Sequence, residues 1–199
     1  MVLEINDMTK NTTNLSKFNN NWYNPGKNII IRLIWYFVNS LFFINSLNGS
    51  SVIKKFLLRL FGAKVGKGVV LKPGINIKYP WKLTIGDNSW IGERVWIDCL
   101  DKITIGSNCC ISQGAMLLNG NHNYSKTTFD LMIAPIILED GVWIGAGAMV
   151  TGGTVCASHS VLCVQSVASK NLESYTVYRG NPAEKIKERK FTNNIAMNY

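Results

Sequence analysis

Apolar residues recur every six positions over most of the chain, and this period predicts its main structure. The period is clearest in one run of six residues: Leu138, Ile144, Val150, Cys156, Leu162 and Ala168. A helix of 3.6 residues per turn cannot keep such a stripe on one face, whereas the short strands of a solenoid can. The register starts at Val65-Gly66, and gaps of eight residues at 77→85 and 97→105 each require only a two-residue bulge.

A second regularity strengthens the prediction of a mainly β solenoid. Two positions before the repeat residues stand small or β-branched side chains, namely Ser89, Val95, Cys109, Ala115, Val142, Ala148, Thr154, Ser160 and Ser166. Both positions are expected to point inward, while the Gly, Asp or Asn that often follows takes the corner. We therefore expect residues 64–190 to form one solenoid domain with a short C-terminal cap, followed by a tail over 191–199.

The front of the chain has a different pattern, which predicts a helical segment over residues 25–63. Residues 29–47 are mostly apolar, and residues 51–62 place apolar side chains at helical spacing up to Gly62, where a helix would stop. Residues 1–24 are rich in Asn, Thr and Lys without periodic apolar positions, which is typical of a flexible arm.

Residues 29–47 raise the question of a membrane. The segment is just long enough to span a bilayer, but Arg32, Asn39 and Asn45 interrupt it, and a central charge is costly in lipid. We therefore expect a helix that packs against another subunit or lies on a membrane surface.

Composition limits the classes of function. An apolar fraction of 47% and a charged fraction of 17% indicate a globular chain, and the net charge of +9 favours anionic partners. No nucleic-acid-reading motif accompanies that charge, so we expect no nucleic-acid partner. The five cysteines lack the spacing of a disulfide framework or a zinc site, and the N-terminus has no signal-peptide core, which predicts a reduced cytoplasmic protein.

Several stretches carry a family resemblance, among them "IGDNSWIGERVWID", "VWIGAGAMV" and "YTVYRGNPAEKIKER". They resemble the hexapeptide-repeat acyltransferases, and in particular the sugar O-acetyltransferases of exopolysaccharide synthesis of the colanic-acid type. The resemblance implies a left-handed parallel β-helix with three hexapeptides per coil. It also implies acetyl-CoA as acyl donor, a sugar hydroxyl as acceptor, and direct transfer in a ternary complex.

The loop over residues 119–135 contains the position of the family's catalytic histidine, which is His122 in "NGNHNY". Histidine is suited to this role because its unperturbed pKa near ~6.5 makes it a base at neutral pH. The resemblance makes Asp98 the candidate that orients the imidazole or contacts the acceptor, although Asp is also an ordinary corner residue. Asn121 and Tyr124 are the candidate substrate-binding residues, with Asn121 alternatively shaping the loop.

The resemblance also assigns residues to the acetyl-CoA groove. They are Trp143 beside the thioester, the small residues Gly145 and Ala146 along the pantetheine arm, Val164 and Ser169 one coil later, and Lys170 and Lys187 near the phosphates. Surface packing is the alternative for Trp143, and a solvated face is the alternative for the lysines. The chain has two histidines, whereas carbonic anhydrases on this solenoid use three for their metal, so we expect no metal.

Family members are trimers whose active sites lie between subunits, so the resemblance implies a homotrimer. An apolar helix with nearby lysines would suit docking on the inner face of the membrane through residues 29–47. Two alternatives remain open for the function. The first is a streptogramin-type antibiotic O-acetyltransferase, and the second is a non-catalytic solenoid scaffold.

Overall fold

The computed structural model describes residues 11–192, and the strands in this range wind into a parallel solenoid. In chain order they are β1 (Lys64–Val65), β2 (Val70–Leu71), β3 (Asn76–Ile77), β4 (Leu83–Ile85), β5 (Trp90–Ile91), β6 (Trp96–Ile97), β7 (Ile103–Ile105), β8 (Cys110–Ile111), β9 (Met116–Leu118), β10 (Gly120–His122), β11 (Leu131–Ile133), β12 (Ile136–Leu138), β13 (Trp143–Ile144), β14 (Met149–Thr151), β15 (Val155–Cys156), β16 (Val161–Leu162), β17 (Val167–Ala168), β18 (Thr176–Arg179) and β19 (Glu184–Glu188).

The strands stack into three faces. Face A has the order β1-β4-β7-β12-β15, face B has β19-β18-β16-β13-β8-β5-β2, and face C has β17-β14-β9-β6-β3. Neighbouring strands within each face are parallel, except for the antiparallel pair β18–β19 that ends face B. The solenoid of hexapeptide repeats that the six-residue period predicts is confirmed.

The core lies inside the triangular cross-section. Repeat residues such as Ile91, Ile97 and Ile144 are fully buried, and the small residues two positions earlier are buried as well. The buried Ser89 side chain bonds to the next coil, since its hydroxyl donates to the Gly106 carbonyl at 2.7 Å and accepts the Cys109 N–H at 3.0 Å. The small residues are needed because two side chains from each strand must share a narrow interior.

All interruptions of the repeat leave the solenoid at the corner where face C leads to face A. The first contains the 3₁₀ turn Pro80–Lys82 between β3 and β4, and the second is the segment 98–102 between β6 and β7. The third is the extruded loop, in which β10 and β11 pair as an antiparallel hairpin with His122 opposite Leu131. The interruptions therefore stack above one another on one edge of the molecule.

The helical segment contains α1 (Ile29–Val38), a π-helical turn (Asn39–Ile44) and α2 (Ser51–Leu60), which confirms the expected helical front. The Asn28 side chain caps α1 by accepting the Ile31 N–H. Helix α2 stops as predicted at Gly62, whose φ of +95° favours glycine. The N–H groups of Gly62 and Ala63 donate to the carbonyls of Arg59 and Leu58, which is the hydrogen-bond pattern of a Schellman motif.

This segment covers the open edge of the first coil. The Trp35 indole donates to the Ile77 carbonyl at 2.7 Å, and the Asn39 side chain accepts the Ile77 N–H. On α2 the Ser51 hydroxyl accepts the Leu71 N–H, and the buried Lys54 ammonium donates to the Lys72 carbonyl. Side chains thus replace the coil that would otherwise satisfy these backbone groups.

The other end is covered by β18 and β19, the expected C-terminal cap. Arg189, just after β19, donates to the carbonyls of Gly141 and His159 and so fastens the cap to earlier coils. All five cysteines are free thiols, and Cys99, Cys109 and Cys156 are buried in the core. Residues 1–10, the first part of the predicted flexible arm, lie outside the described residues. The same is true of residues 193–199, which make up most of the predicted tail.

Prediction on coil spacing. Gly86 lies so close to the next coil that an added Cβ would stand 2.5 Å from the Gly106 carbonyl carbon, whereas Gly49 has open space around it. We expect Gly86→Ala to lower the free energy of unfolding by about 1–3 kcal/mol because the coils must separate. Gly49→Ala is the matched control and should leave it within about 0.5 kcal/mol. Equal denaturation midpoints for the two variants would contradict the tight coil spacing.

Candidate active site

The stacked interruptions enclose a pocket of about 560 Å³ at the corner between faces C and A. Its wall comes from four parts of the chain: the first interruption, the second interruption, the extruded loop, and residues 18–32 at the front. The lining residues are Phe18, Asn20, Asn21, Tyr23, Pro25, Arg32, Lys78, Tyr79, Leu100, His122 and Leu131. The interruptions of the repeat therefore bring polar side chains together in this pocket.

His122 is held in one orientation and one tautomer. Its Nδ1 lies 2.9 Å from the carbonyl oxygen of Phe129, and a carbonyl can only accept, so Nδ1 carries the proton. The ring stacks on Phe129 with centroids 4.5 Å apart and planes 8° apart. Nε2 is left with a free lone pair, which is the form that a general base requires.

The front of the chain packs against the histidine. The ring centroids of Phe18 and His122 are 5.7 Å apart. The Asn14 N–H donates to the Thr127 carbonyl of the loop at 2.7 Å. The described part of the predicted flexible arm, residues 11–24, therefore lies along the extruded loop. The imidazole is enclosed by aromatic rings from both segments.

Tyr23 and Lys82 fasten this front segment to the solenoid. The Tyr23 hydroxyl donates to the Leu100 carbonyl at 2.9 Å, and the Lys82 ammonium reaches the same carbonyl and the Tyr23 hydroxyl. Burial raises the pKa of Tyr23 and lowers the pKa of Lys82. The two groups thus have structural partners and are not free to act as acid or base.

Asp98 lies in the second interruption, 8% exposed, below the base of the loop. Its Oδ1 is 3.6 Å from the Lys78 ammonium, and its Oδ2 is 3.0 Å from where a Cβ on Gly120 would stand. The partner of His122 Nδ1 is the Phe129 carbonyl and not Asp98. Asp98 therefore does not hold Nδ1, and it is not among the residues that line the pocket of His122, so its contact with the acceptor stays a prediction.

The other two candidates in the loop point away from the pocket wall. Asn121 uses its side-chain oxygen to accept the His122 N–H at 2.8 Å, which fits the alternative that it shapes the loop. Tyr124 is 83% exposed at the tip. Substrate binding by Tyr124 therefore stays a prediction.

Five of the seven residues expected to bind acetyl-CoA lie on face B or at the corner that follows it, namely Trp143, Gly145, Ala146, Val164 and Lys187. Trp143 points outward, 46% exposed, with its indole donating to the Ser112 hydroxyl. Trp143 and Lys187 line one open cavity of about 970 Å³ on face B, where β13 and β19 form two of its walls. Their roles toward acetyl-CoA stay predictions.

Small residues let successive coils approach closely at the neighbouring corner. A Cβ on Gly145 would stand 2.6 Å from the Val164 N, and the Ala146 carbonyl accepts the Gln165 N–H at 2.9 Å. Val164 is 60% exposed beside them. Ser169 and Lys170 are exposed after β17, at the end of face C, and do not line the cavity that holds Trp143.

The histidine and the tryptophan lie on opposite sides of one chain. His122 extends from the corner between faces C and A, which is the corner that face B does not touch, and Trp143 projects from face B. Each of the two residues lines a different cavity. One chain therefore holds the two halves of the predicted site apart.

The described residues contain no cluster of three or more His, Cys, Asp or Glu side chains that could hold a metal. His159 lies at a corner with φ of +61° and packs on Tyr175, with 4.8 Å between the ring centroids. It is not among the residues that line the pocket of His122. The absence of a metal remains a prediction.

Sequence reasoning missed Phe18, Tyr23, Arg32, Lys78 and Tyr79 as pocket residues. Their signal was available in part, because Lys78 and Tyr79 fall within the eight-residue gap at 77→85. Phe18, Tyr23 and Arg32 had no such signal, since only the path of the front segment brings them to the pocket.

No protein-family model matches the chain. It is 38% identical over 164 residues to the colanic acid biosynthesis acetyltransferase WcaF of Escherichia coli strain K12, covering 82% of this chain and 90% of that protein. It is 32% identical over 113 residues to a chloramphenicol acetyltransferase of Klebsiella aerogenes, covering 46% of this chain and 54% of that protein. The hexapeptide-repeat acetyltransferase VCA0836 of Vibrio cholerae O1 biovar eltor, solved with acetyl-CoA, superposes with a TM-score of 0.74 at 20% identity, covering 81% of this chain and 88% of that chain.

Prediction on the histidine tautomer. At a pH above the ordinary titration range of histidine, ¹⁵N NMR should show His122 with a protonated Nδ1 and an unprotonated Nε2, because the Phe129 carbonyl accepts only from N–H. His159→Asn removes the other histidine and assigns the signals. A spectrum in which Nε2 carries the proton would contradict the hydrogen bond from Nδ1 to the Phe129 carbonyl.

Proposed function

This chain belongs to the hexapeptide-repeat acetyltransferases of the colanic-acid type, and we propose that it transfers acetyl from acetyl-CoA to a sugar hydroxyl in surface-polysaccharide or lipopolysaccharide synthesis. The family follows from the 38% identity to WcaF over 82% of the chain. The proposal that the acceptor is a sugar follows from the same relative, whose name places it in colanic acid biosynthesis. The observation that carries the chemistry is the free Nε2 of His122.

His122 acts as the general base. Nε2 takes the proton of the acceptor hydroxyl as its oxygen attacks the thioester carbonyl, forming the C–O bond. The C–S bond then breaks, and the imidazolium returns the proton to the leaving sulfur of CoA. The Phe129 carbonyl stabilises the imidazolium through the Nδ1–H hydrogen bond at 2.9 Å.

Direct transfer is favoured over an acetyl-enzyme. Cys99, Cys109 and Cys156 are buried, and burial raises the pKa of Cys109 to about 11 and that of Cys156 to about 12, so neither forms the thiolate that a nucleophile requires. None of the five cysteines lines the pocket of His122. Direct transfer in turn requires the donor and the acceptor to be bound together.

The donor is proposed to bind along Trp143, Gly145, Ala146 and Val164. The exposed indole offers an apolar surface beside the thioester, and the two small residues let the pantetheine arm approach the backbone. Ser169 is proposed to contact the donor together with Val164, and Lys170 and Lys187 are proposed for the phosphate end. Lys187 lines the same open cavity as Trp143, which supports a position beside the donor.

Because His122 and Trp143 project from opposite sides of one chain, we propose that each active site forms between two copies. A contact in which the loop corner of one copy meets face B of the next is heterologous, and such contacts close into a ring when the rotation allows. The proposed assembly is a homotrimer, which is the closed ring that the family resemblance implies.

The antibiotic alternative is weaker than the glycan. The chloramphenicol acetyltransferase match covers 46% of this chain, whereas the WcaF match covers 82%. The scaffold alternative leaves the fixed tautomer of His122 without a purpose. We therefore place both below sugar acetylation.

Prediction on the base. His122→Ala should lower kcat by about 10²–10⁴-fold with a glycan acceptor, because the hydroxyl proton loses its acceptor. The assay measures CoA release with nucleotide sugars, lipid-linked glycans and streptogramin-type antibiotics. His159→Asn is the matched control and should retain full activity. Full activity of His122→Ala would show that the proposed mechanism is wrong, and turnover of an antibiotic alone would replace the proposed acceptor.

We further propose that the chain is cytoplasmic and docks peripherally on the inner membrane face. Ile30, Leu33, Ile34, Phe37 and Leu41 stand opposite the buried Trp35 and are 49–64% exposed. Exposed apolar residues on α2 extend this surface, namely Val52, Ile53, Phe56 and Leu60. No helix within residues 11–192 is both long and apolar enough to cross a bilayer.

The charge around this surface favours an anionic membrane over a protein partner. No Asp or Glu occurs between Asp7 and Asp87, a stretch that holds twelve of the 21 Lys and Arg residues. Each basic group near an anionic membrane contributes about 1 kcal/mol of attraction. An apolar helix face in a segment that is basic and without acidic residues is typical of an interfacial helix.

Prediction on membrane binding. The protein should sediment with vesicles that contain phosphatidylglycerol and much less with pure phosphatidylcholine vesicles. Ile34→Ser with Phe37→Ser should weaken binding by roughly tenfold or more, because the apolar area that enters the interface is lost. Phe191→Ser, at the opposite end of the solenoid and equally exposed, is the control. Protein that stays in the supernatant with both vesicles would contradict docking.

A further inference from the structure

The pocket of His122 has an uncompensated positive charge from Arg32. Arg32 stands in the first turns of α1 and lines the same pocket as His122. Its Nε is buried without a hydrogen-bond partner, and among the described residues its guanidinium forms no ion pair. A buried guanidinium N–H without an acceptor is costly, and this position therefore indicates a binding role.

Lys78 adds a second cation to the same wall. Within residues 11–192 its one ion-pair partner is Asp98 at 3.6 Å, a distance longer than a normal charge-assisted hydrogen bond, and its side chain is 46% exposed. No Asp or Glu is among the residues that line the pocket. Lys78 thus remains able to contact a ligand while Asp98 stays below it.

The remaining wall offers groups that suit a sugar. Tyr79 and Tyr23 present aromatic rings, and Asn20 and Asn21 present amides that can donate to and accept from hydroxyls. The volume of about 560 Å³ is in the range of small-ligand sites. His122 lies in the same wall, so a hydroxyl of such a sugar would be within the pocket that holds the base.

We propose that the acceptor is an anionic glycan whose phosphate or carboxylate group binds Arg32, with Lys78 as the second cation, while a hydroxyl on the same sugar reaches His122. This proposal rests on the proposed acetyl transfer and adds the charge class of its acceptor. The guanidinium supplies paired N–H donors in the geometry of an oxyanion. The carboxylate and phosphate forms share this chemistry, and the experiment separates them.

The test measures binding and turnover separately. Isothermal titration of the full-length protein uses four probes built on one sugar: a neutral methyl glycoside, the glycosyl 1-phosphate, the nucleotide diphosphate sugar and the uronate. Each is also assayed for CoA release with acetyl-CoA. The variants are Arg32→Gln, Arg32→Lys and Lys67→Gln, the last of which removes an exposed cation that does not line the pocket.

We expect at least one anionic probe to bind more tightly than the neutral glycoside, with an advantage that falls as salt rises. Arg32→Gln should weaken the binding of that probe by about ten- to a hundredfold. The affinity of the same variant for the neutral glycoside should change by less than twofold. Arg32→Lys should recover part of the affinity because it keeps the charge without the paired donors, and Lys67→Gln should match wild type.

The outcomes distinguish the two proposals. Preference for the phosphate probes or for the uronate identifies which anion is bound. Binding of an anionic probe that depends on Arg32 but gives no acetyl transfer supports the anion site and counts against the proposed reaction. Equal affinity for neutral and anionic probes, or unchanged binding by Arg32→Gln, overturns the proposal even if a neutral sugar is acetylated.

Discussion

The hydrogen-bond ladder between successive coils is the constraint on which the rest of the structure depends. Each coil must place its backbone groups over those of the next, so a face cannot accept an extra residue without losing its register. Added residues can leave only at a corner, and in this chain all three interruptions leave at the same one. The ladder thus determines where chemistry can be added, and the interruptions at residues 78–82, 98–102 and 119–135 supply the groups of the site.

The same ladder leaves unpaired backbone groups at both ends, and the covers over these ends also bear on function. Trp35 and Asn39 satisfy the Ile77 carbonyl and N–H, which fixes α1 across the first coil. Once α1 is fixed, Arg32 lies in the pocket of His122, and the opposite side of the helix exposes its apolar residues. The helix that caps the first coil therefore also forms one wall of the site and part of the surface proposed to meet the membrane.

Sequence predicted what depends on local period and missed what depends on the path of the chain. The six-residue repeat gave the solenoid and its inward positions, and the polar loop indicated His122. The group that holds Nδ1 is the backbone carbonyl of Phe129, which no choice of side chain at that position reveals. Asp98 was the natural candidate for that role because side chains are all that a sequence shows. Phe18 and Tyr23 reach the site from residues without any period, so their contacts required the structure.

The arrangement also separates what one chain can prepare from what it cannot complete. His122 is oriented entirely by its own chain, through the Phe129 carbonyl and the rings of Phe129 and Phe18. The surface around Trp143 is likewise formed by one chain, but it faces the other way. A base that is set before assembly needs no rearrangement when a donor arrives on a neighbouring copy, so assembly would bring together two finished halves. Because the orientation of the base would then be independent of assembly, loss of contact between copies should remove donor binding near His122 while leaving its tautomer intact.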